Sequence, residues 1–334
     1  MTSELSNPPS SIENLSVSAR PARTVLRLIK SNAIAVVALL LVIAVTLGNP
    51  AFLSFFNSAN MLSQWAPAGL MAIGMTYVII AGGFDLSLAA GFSFCAVVAA
   101  VAAQDHSAVI AFIAATAAGG VVGLANAILI ARFGINPFIT TVGTGFIITG
   151  LTFVLTGNAA FMVSAPSFAV LGAGRFHGVP YSGLLLIAGL IVAAFALSRT
   201  IYGHVLYAVG GNPEASRLSG LRVPLIVGST YVLLGTLTGV AGFISASQLS
   251  SAQANMDPNI LFDVLTIVIV GGTPLGGGIG SIGKTVVGLI IIATITNGFV
   301  LLDISPFYQN IIKGVLIVGA LVFDSLLKRT GRSA

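Results

Sequence analysis

Charged residues are scarce in this 334-residue chain. Only 7% of its residues are Asp, Glu, Lys or Arg, whereas a soluble globular domain carries about 25%. Because a soluble fold needs a polar exterior, so few charges exclude a soluble protein of this size. With 56% apolar residues and a mean hydropathy of +1.05, the composition predicts an all-α, polytopic membrane protein.

Cysteine and clustered metal ligands are scarce as well. Cys95 is the one cysteine, and a lone thiol forms neither an intrachain disulfide nor a cysteine-based metal cluster. No group of His, Asp and Glu has ligand or acid–base spacing, so we predict no metal site, no catalytic residue and no enzyme. The net charge of +5 comes from basic residues at the ends of apolar runs, which argues against nucleic acid as a partner.

What the chain has in abundance is apolar runs. A helix needs about 20 apolar residues to cross a bilayer, and the runs predict about ten transmembrane helices, with eight to eleven allowed. The eighth run is too short to span alone, so it is either tilted and extended backwards through Asp257 or a broken helix. The ten runs are 33–48, 61–81, 86–103, 108–131, 138–155, 183–197, 224–246, 262–270, 280–302 and 307–326.

The orientation follows from the basic residues, since Lys and Arg concentrate in short cytoplasmic loops. If both termini are cytoplasmic, twelve of the fourteen Lys and Arg residues fall inside, and only Arg175 and Lys313 fall outside. We therefore predict an N-in, C-in membrane protein. It has a cytoplasmic N-terminal tail, 1–30, and a transmembrane domain, 31–329.

Glycine pairs interrupt two apolar stretches. Residues 80–86 (IAGGFDL) and 269–275 (IVGGTPL) share the pattern I-x-G-G-x-x-L. Broken helices are tolerated in membranes where they line a cavity or are buried in protein, so paired interruptions point to a transport pathway. Other glycines, at 119 and 123 and at 235 and 239, have the spacing that lets membrane helices pack closely.

One glycine-rich segment matches a nucleotide-binding pattern. Residues 278–285 (GIGSIGKT) fit G-x-x-x-x-G-K-[ST], which in a true phosphate loop joins a strand to a helix of a soluble domain. Both flanks are apolar here, and the chain has no stretch for a soluble α/β body. We predict that these glycines form a turn, with Lys284 at the cytoplasmic interface, and that the chain binds no cofactor.

The longest hydrophilic segment after the tail is 198–222. Asn212 suits a helix N-cap, Pro213 the first helical position and Gly220 a C-terminal cap. These signals predict a short cytoplasmic helix that carries Glu214 and Arg217; the alternative is a surface loop.

Four segments of the chain resemble motifs of a known family. Residues 210–221 (GGNPEASRLSGL) are similar to the coupling segment of ABC importer permeases of the ribose/xylose/arabinose/galactose class, within the branched-chain amino acid/monosaccharide permease superfamily. Segments 82–87 (GGFDLS), 136–144 (NPFITTVGT) and 271–278 (GGTPLGGG) resemble its GGIDLS, NPFIxTLGT and GGTSLxGG. The four motifs occur in the family's order, although Ser216, Phe84 and Pro274 depart from it.

The resemblance implies the permease subunit of an importer for a pentose or hexose. Its expected partners are a second permease chain, cytoplasmic ATPases that bind the ATP, and a periplasmic or lipid-anchored sugar-binding protein. The expected ATPase-coupling residues are Asn212, Pro213, Glu214, Ala215, Arg217 and Gly220. The expected pathway or gate residues are Gly82, Gly83, Asp85, Ser87, Asn136, Thr140, Thr141, Thr144, Gly271 and Gly272.

Two questions stay open at this level. Gln64, Trp65 and Asn126 are candidate sugar contacts, because amides and aromatic faces bind neutral sugars, yet such residues more often pack helices together. Asp85 is either an N-cap of the third span or a charged contact in the pathway. The alternative function is a stand-alone secondary transporter or channel, which usually carries buried ionisable relays; no such relay is evident in the sequence.

Overall fold

The computed structural model describes residues 33–330, so the predicted tail 1–30 and Arg332 lie outside the described residues. The described chain is an α-helical bundle. Its helices are α1 (Ala33–Gly48), α2 (Phe55–Ile80), α3 (Leu88–Asp105), α4 (Ala108–Ala127), α5 (Pro137–Thr156), α6 (Ala169–Ala173), α7 (Tyr181–Arg199), α8 (Ile201–Gly211), α9 (Pro213–Leu218), α10 (Val223–Leu249), α11 (Ile260–Val270), α12 (Ile282–Leu301) and α13 (Pro306–Thr330).

Six described helices are long and apolar enough to cross a membrane: α3, α4 with its π-helical continuation to Arg132, α5, α7, α10 and α12. Two more apolar helices, 34–48 and 260–270, are shorter. The all-α, polytopic class is confirmed, while the count of ten spans stays a prediction.

Helix α2 lies at the centre of the bundle. It is 26 residues long, about 39 Å at the α-helical rise of 1.5 Å per residue, and every residue from Trp65 to Ile80 is buried. It packs against α7, α10, α11 and α12.

The two glycine pairs predicted to allow close packing face each other. A Cβ on Gly119 would lie 2.7 Å from the backbone nitrogen of Gly239, and one on Gly235 would lie 2.8 Å from that of Gly123. Helices α4 and α10 are therefore in backbone contact, as expected of small residues at a membrane helix interface.

The bundle has two distinct ends. The interruption end holds the two breaks, at 81–87 and 271–281, together with α9; Gly278 donates its N–H to the Ile80 carbonyl oxygen there, at 2.8 Å. The ribbon end holds two antiparallel pairs of short strands. They are β1 (Phe161–Met162) with β4 (Ser251–Ala252), and β2 (Arg175–Phe176) with β3 (Val179–Pro180).

The structure decides between the two alternatives for the eighth span. The helix does not extend backwards through Asp257, because α11 begins at Ile260 and residues 253–259 are not helical. Pro258 and the turn that Asp257 makes with the Asn259 N–H, 2.9 Å, interrupt a helix at this point. The segment 198–222 is also more ordered than predicted, since α8 occupies most of its first half.

Candidate functional site

The first interruption, residues 81–87, begins with a tight turn after α2. The Gly82 N–H donates to the Ile79 oxygen at 2.9 Å and the Gly83 N–H to the Val78 oxygen at 2.8 Å. Gly82 has a φ of 81°, which glycine adopts at little cost. This turn reverses the chain directly into a polar segment.

Asp85 lies in a buried hydrogen-bonded group, which we call the Asp85 cluster: Asp85, Ser87, Asn126 and Thr141. One carboxylate oxygen accepts the Ser87 N–H at 2.8 Å and the Ser87 hydroxyl at 2.6 Å. The other accepts the Asn126 amide at 3.1 Å, and Asn126 also donates to the Ser87 hydroxyl at 2.9 Å. The Leu86 N–H donates to the Thr141 hydroxyl at 3.0 Å. The cluster therefore joins the start of α3 to α4 and α5.

The geometry bears on both interpretations of Asp85. Ser87, not Asp85, occupies the N-cap position of α3, and Asp85 instead closes an Asx turn onto the Ser87 N–H. The carboxylate is 4% exposed, and the adjacent cavity has room for about one water molecule. Asp85 thus faces no sugar-sized space in this conformation, and its role in transport stays a prediction.

Tyr231 of α10 holds the same loop from the other side. Its hydroxyl accepts the Phe84 N–H and donates to the Phe84 carbonyl oxygen, both at 3.2 Å. Tyr231 is fully buried, so these bonds replace the water that the loop backbone would otherwise bind.

The second interruption, 271–281, begins with the same turn as the first. The Gly272 N–H donates to the Ile269 oxygen at 2.9 Å and the Thr273 N–H to the Val268 oxygen at 3.2 Å. Gly272 has a φ of 102°. The shared pattern I-x-G-G-x-x-L aligns Gly82 with Gly271. In the structure, however, Gly82 corresponds to Gly272, one residue further along, because these two glycines occupy the left-handed position of the same turn.

Both interruptions meet the end of α8 in what we call the glycine junction: Gly82, Gly210, Gly211, Gly277 and Gly278. A Cβ on Gly210 would overlap the Ile80 oxygen and lie 2.8 Å from the Gly278 nitrogen, and one on Gly277 would lie 3.0 Å from the Gly82 Cα. The Tyr207 hydroxyl of α8 also donates to the Gly280 oxygen at 2.7 Å. Three segments far apart in the sequence are therefore in backbone contact.

The segment that matches the phosphate-loop pattern does not form a phosphate cradle. The Lys284 ammonium donates to the Gly272 carbonyl oxygen at 3.2 Å, and the Thr285 hydroxyl is 2.7 Å from that of Thr76 on α2. Thr285 is buried, and this glycine turn follows helix α11 rather than a strand. In the described residues no group of three or more His, Cys, Asp or Glu could hold a metal ion.

Helix α9 has the local structure predicted for it. The Asn212 side chain accepts the Ala215 N–H at 2.9 Å, and Pro213 is the first helical residue. Gly220 has a φ of 82°. Glu214 and Arg217 form an exposed ion pair at 2.8 Å, and Leu218 is 80% exposed. The helix therefore projects from the interruption end, which leaves its surface free for a partner.

The other predicted site residues are dispersed. Asn136 caps α5 by accepting the Phe138 N–H at 2.9 Å. Thr144 donates to the Thr141 carbonyl oxygen at 3.3 Å, and the Thr140 hydroxyl is buried without a partner in the described residues. Gln64 is exposed on α2, and Trp65 is buried beside it. Among the predicted pathway and sugar-contact side chains, the structure joins Asp85, Ser87, Asn126 and Thr141 into one group.

The sequence analysis missed a buried ion pair. The Lys313 ammonium of α13 lies 2.6 Å from the Asp263 carboxylate of α11, and their side chains are only 12% and 10% exposed. The orientation argument places Lys313 outside and assigns it no partner. The available signal was that an isolated Lys in an apolar run needs an acidic partner.

Comparisons with known proteins identify a family and several similar permeases. The model of the family "Branched-chain amino acid transport system / permease component" matches residues 57–321. The chain is 38% identical to the ribose import permease protein RbsC of Bacillus subtilis, over 85% of this chain and 89% of that protein. It is 34% identical to the L-arabinose ABC transporter permease protein AraH of Azospirillum brasilense, over 94% and 93%.

A third similar protein is named for a different sugar. The galactose/methyl galactoside import permease protein MglC of Escherichia coli is 31% identical, over 93% of this chain and 98% of that protein. No solved structure matches the chain. The family model covers well over half of the chain, and the protein therefore belongs to the branched-chain amino acid transport system / permease component family, as a multi-pass protein of the inner membrane.

Proposed function

We propose that this protein is the permease subunit of an ABC importer that carries a pentose or hexose across the bacterial inner membrane. The relatives that cover most of the chain are permeases for ribose, arabinose and galactose, which supports this function over a stand-alone transporter or channel. The observation that carries the mechanism is the glycine junction, which connects the exposed helix α9, through α8, to both interruptions.

The proposed topology has ten spans with both termini in the cytoplasm. Five described basic residues support a cytoplasmic interruption end: Arg132, Arg199, Arg217, Arg222 and Lys284, whereas Arg175 lies at the ribbon end. Reporter fusions at Gly174 and Ser216 test this orientation and should report opposite compartments. If both report the same side, the proposed topology is wrong.

Helix α9 is the proposed contact with a cytoplasmic ATPase. Asn212, Pro213 and Gly220 give it defined ends, while Glu214, Ala215 and Arg217 lie on its exposed surface. ATP would be bound by that partner, because Lys284 and Thr285 are committed to internal contacts. A second permease chain and an extracytoplasmic sugar-binding protein complete the proposed assembly.

Helix α9, together with α8, would couple ATP hydrolysis to transport by moving as a short rigid unit. Because Gly210, Ile80 and Gly278 are in backbone contact, movement of α8 with α9 displaces the ends of α2 and α11 together. Closely packed elements move as units between discrete arrangements rather than deform continuously. One contact with the ATPase would thereby reach both interruptions at once.

The test uses the complex isolated from its native membrane and reconstituted into sealed liposomes, with ATP hydrolysis and sugar uptake both measured. Gly220→Val should reduce both, since a β-branched residue resists a positive φ, and Glu214→Arg should weaken binding of the ATPase. Arg222→Lys keeps the charge outside α9 and serves as the control. Normal hydrolysis and uptake in both α9 variants would contradict the coupling role.

A further inference from the structure

Residues 253–259 enter the bundle as non-helical chain. β4 pairs with β1 at the ribbon end, Ala252 opposite Phe161, and α11 begins only at Ile260. Between them the Met256 N–H donates to the Ser93 hydroxyl of α3 at 3.2 Å. Met256 also packs against both hydrophobic clusters of the bundle, so the segment is anchored inside the protein.

The position of Ser93 shows how far Met256 lies from the ribbon end of the bundle. It lies twelve residues before Asp105, the ribbon-end terminus of α3, which corresponds to about 18 Å along the helix. Helix α10 gives a second marker: a Cβ on Gly242 would lie 2.8 Å from the Phe92 oxygen, one residue before Ser93. From there α10 continues for seven residues toward the ribbon end, and the chain after β4 descends to the same level. The two markers place Met256 about 10–18 Å from the ribbon ends of α10 and α3, a depth that falls within a hydrocarbon core about 30 Å thick.

The segment presents polar groups outward at that depth. Gln253, Asn255 and Asn259 are exposed on the protomer surface, whereas Ala254 is buried. Non-helical backbone is not tolerated against lipid, since its polar groups would lose their hydrogen bonds; it occurs only within protein or beside water. The exposed face of 253–259 therefore does not face hydrocarbon.

We infer that residues 253–259 line the aqueous path of the sugar, and that the amides of Gln253, Asn255 and Asn259 bind its hydroxyl groups. A side-chain amide both donates and accepts hydrogen bonds, which suits a neutral polyhydroxylated ligand. Met256 positions the segment, and the turn from Asp257 to the Asn259 N–H sets the start of α11. The identity of the ligand rests on the proposed function, whereas the exposure of the segment to water does not.

The first experiment measures water exposure. Cys95 is fully buried, so a cysteine placed at Asn255 is the accessible thiol of this chain, and labelling is read on the permease band alone. Asn255→Cys should react with a charged, membrane-impermeant methanethiosulfonate reagent. Val121→Cys is the matched control, because Val121 is an apolar α4 residue, 66% exposed, about 20 Å from the ribbon end of its helix. We expect Asn255→Cys to be labelled at least about tenfold faster than Val121→Cys, because the charged reagent is excluded, with water, from a surface that faces lipid.

Two outcomes would overturn the inference. If Asn255→Cys and Val121→Cys are labelled at equal rates, residues 253–259 do not face water. If Asn255→Cys is not labelled and instead forms a disulfide with a second copy of the chain, the segment is an interface between permease chains. If Asn255→Cys does not insert, Asn259→Cys at the exposed start of α11 provides the same measurement. This readout holds even where the transported sugar differs from the one proposed.

The second experiment measures sugar binding through uptake of radiolabelled ribose, arabinose and galactose. Asn255→Leu should raise the KM for whichever sugar the wild type transports by about tenfold or more, because a polar site left unpaired discriminates strongly. Asn255→Gln should recover part of the loss. If the wild type transports none of the three sugars, the result counts against the proposed function but not against the exposure of 253–259 to water. Unchanged KM in inserted Leu variants at 253, 255 and 259 would overturn the sugar contacts.

Discussion

The two interruptions share one turn but are held in place differently. In both, two successive amides bond back to the preceding helix, and the paired residues are 190 positions apart. The first interruption is held along its length by side chains, namely the Asp85 cluster and Tyr231. The second also accepts bonds from Tyr207 and Lys284, but its glycines lie in backbone contact with α8 and α12. Side-chain deletions should therefore disturb mainly the first interruption, whereas an added Cβ in the glycine junction should disturb the contact that both interruptions make with α8.

The largest expected effect concerns the helices that lead into the interruptions. Helix α2 carries no charged residue, whereas α11 carries Asp263, paired with Lys313. Lys313→Met leaves the carboxylate buried without its partner, and breaking a buried ion pair costs about 3–5 kcal/mol. We expect a marked loss of inserted protein, measured as permease per unit of membrane.

The double variant Asp263→Asn/Lys313→Met is the control for this prediction. It removes both charges, so it should recover much of the lost protein. A double variant as unstable as Lys313→Met would show that the cost comes from packing and not from charge.

The next effect tests the backbone contact. Gly210→Ala places a methyl group against the Ile80 oxygen and the Gly278 nitrogen, and such overpacking costs about 1–3 kcal/mol or more. We expect the uptake per ATP hydrolysed to fall, because α8 no longer fits both interruptions. Gly211→Ala is the matched control, since no atom lies within 4 Å of its added Cβ; equal effects in the two variants would contradict the junction.

Asp85 tests the side-chain contact. Asp85→Ala leaves the Ser87 N–H, the Ser87 hydroxyl and the Asn126 amide without their acceptor. Because the three donors belong to one network, their costs do not add, and we expect a loss of about 1–3 kcal/mol. We expect reduced protein in the membrane. Asp85→Asn keeps an acceptor for Ser87, and its amide can donate to the Asn126 oxygen, which has no partner in the described residues. Near-normal uptake is therefore expected; abolished uptake in fully inserted Asp85→Asn would make Asp85 part of the pathway.

The smallest effect is expected at Tyr231. Tyr231→Phe removes two bonds to the Phe84 backbone but keeps the ring. A hydrogen bond contributes about 1 kcal/mol net, so thermal denaturation of the purified protein should show a modest decrease in Tm. A decrease as large as that of Asp85→Ala would mean that Tyr231, and not the cluster, holds the first interruption.

Local signals in the sequence predicted local structure well. Asn212, Pro213 and Gly220 are short-range capping signals, and α9 forms where they place it. The run 33–48 has the same bounds as α1. Each of these depends on residues within a few positions of one another, for which composition and capping suffice.

The sequence by itself determined the membrane class, the family and the two interruptions, because low charge, long apolar runs and glycine pairs are properties of contiguous residues. Only the tertiary structure decided what those elements contact. It pairs Lys313 with Asp263, joins Gly210 to Ile80 and Gly278, and brings Asn126 to Asp85. It also places Met256 against Ser93. These partners are 40 or more residues apart, and in lipid the need to satisfy every buried polar group is met by whichever helix packs alongside.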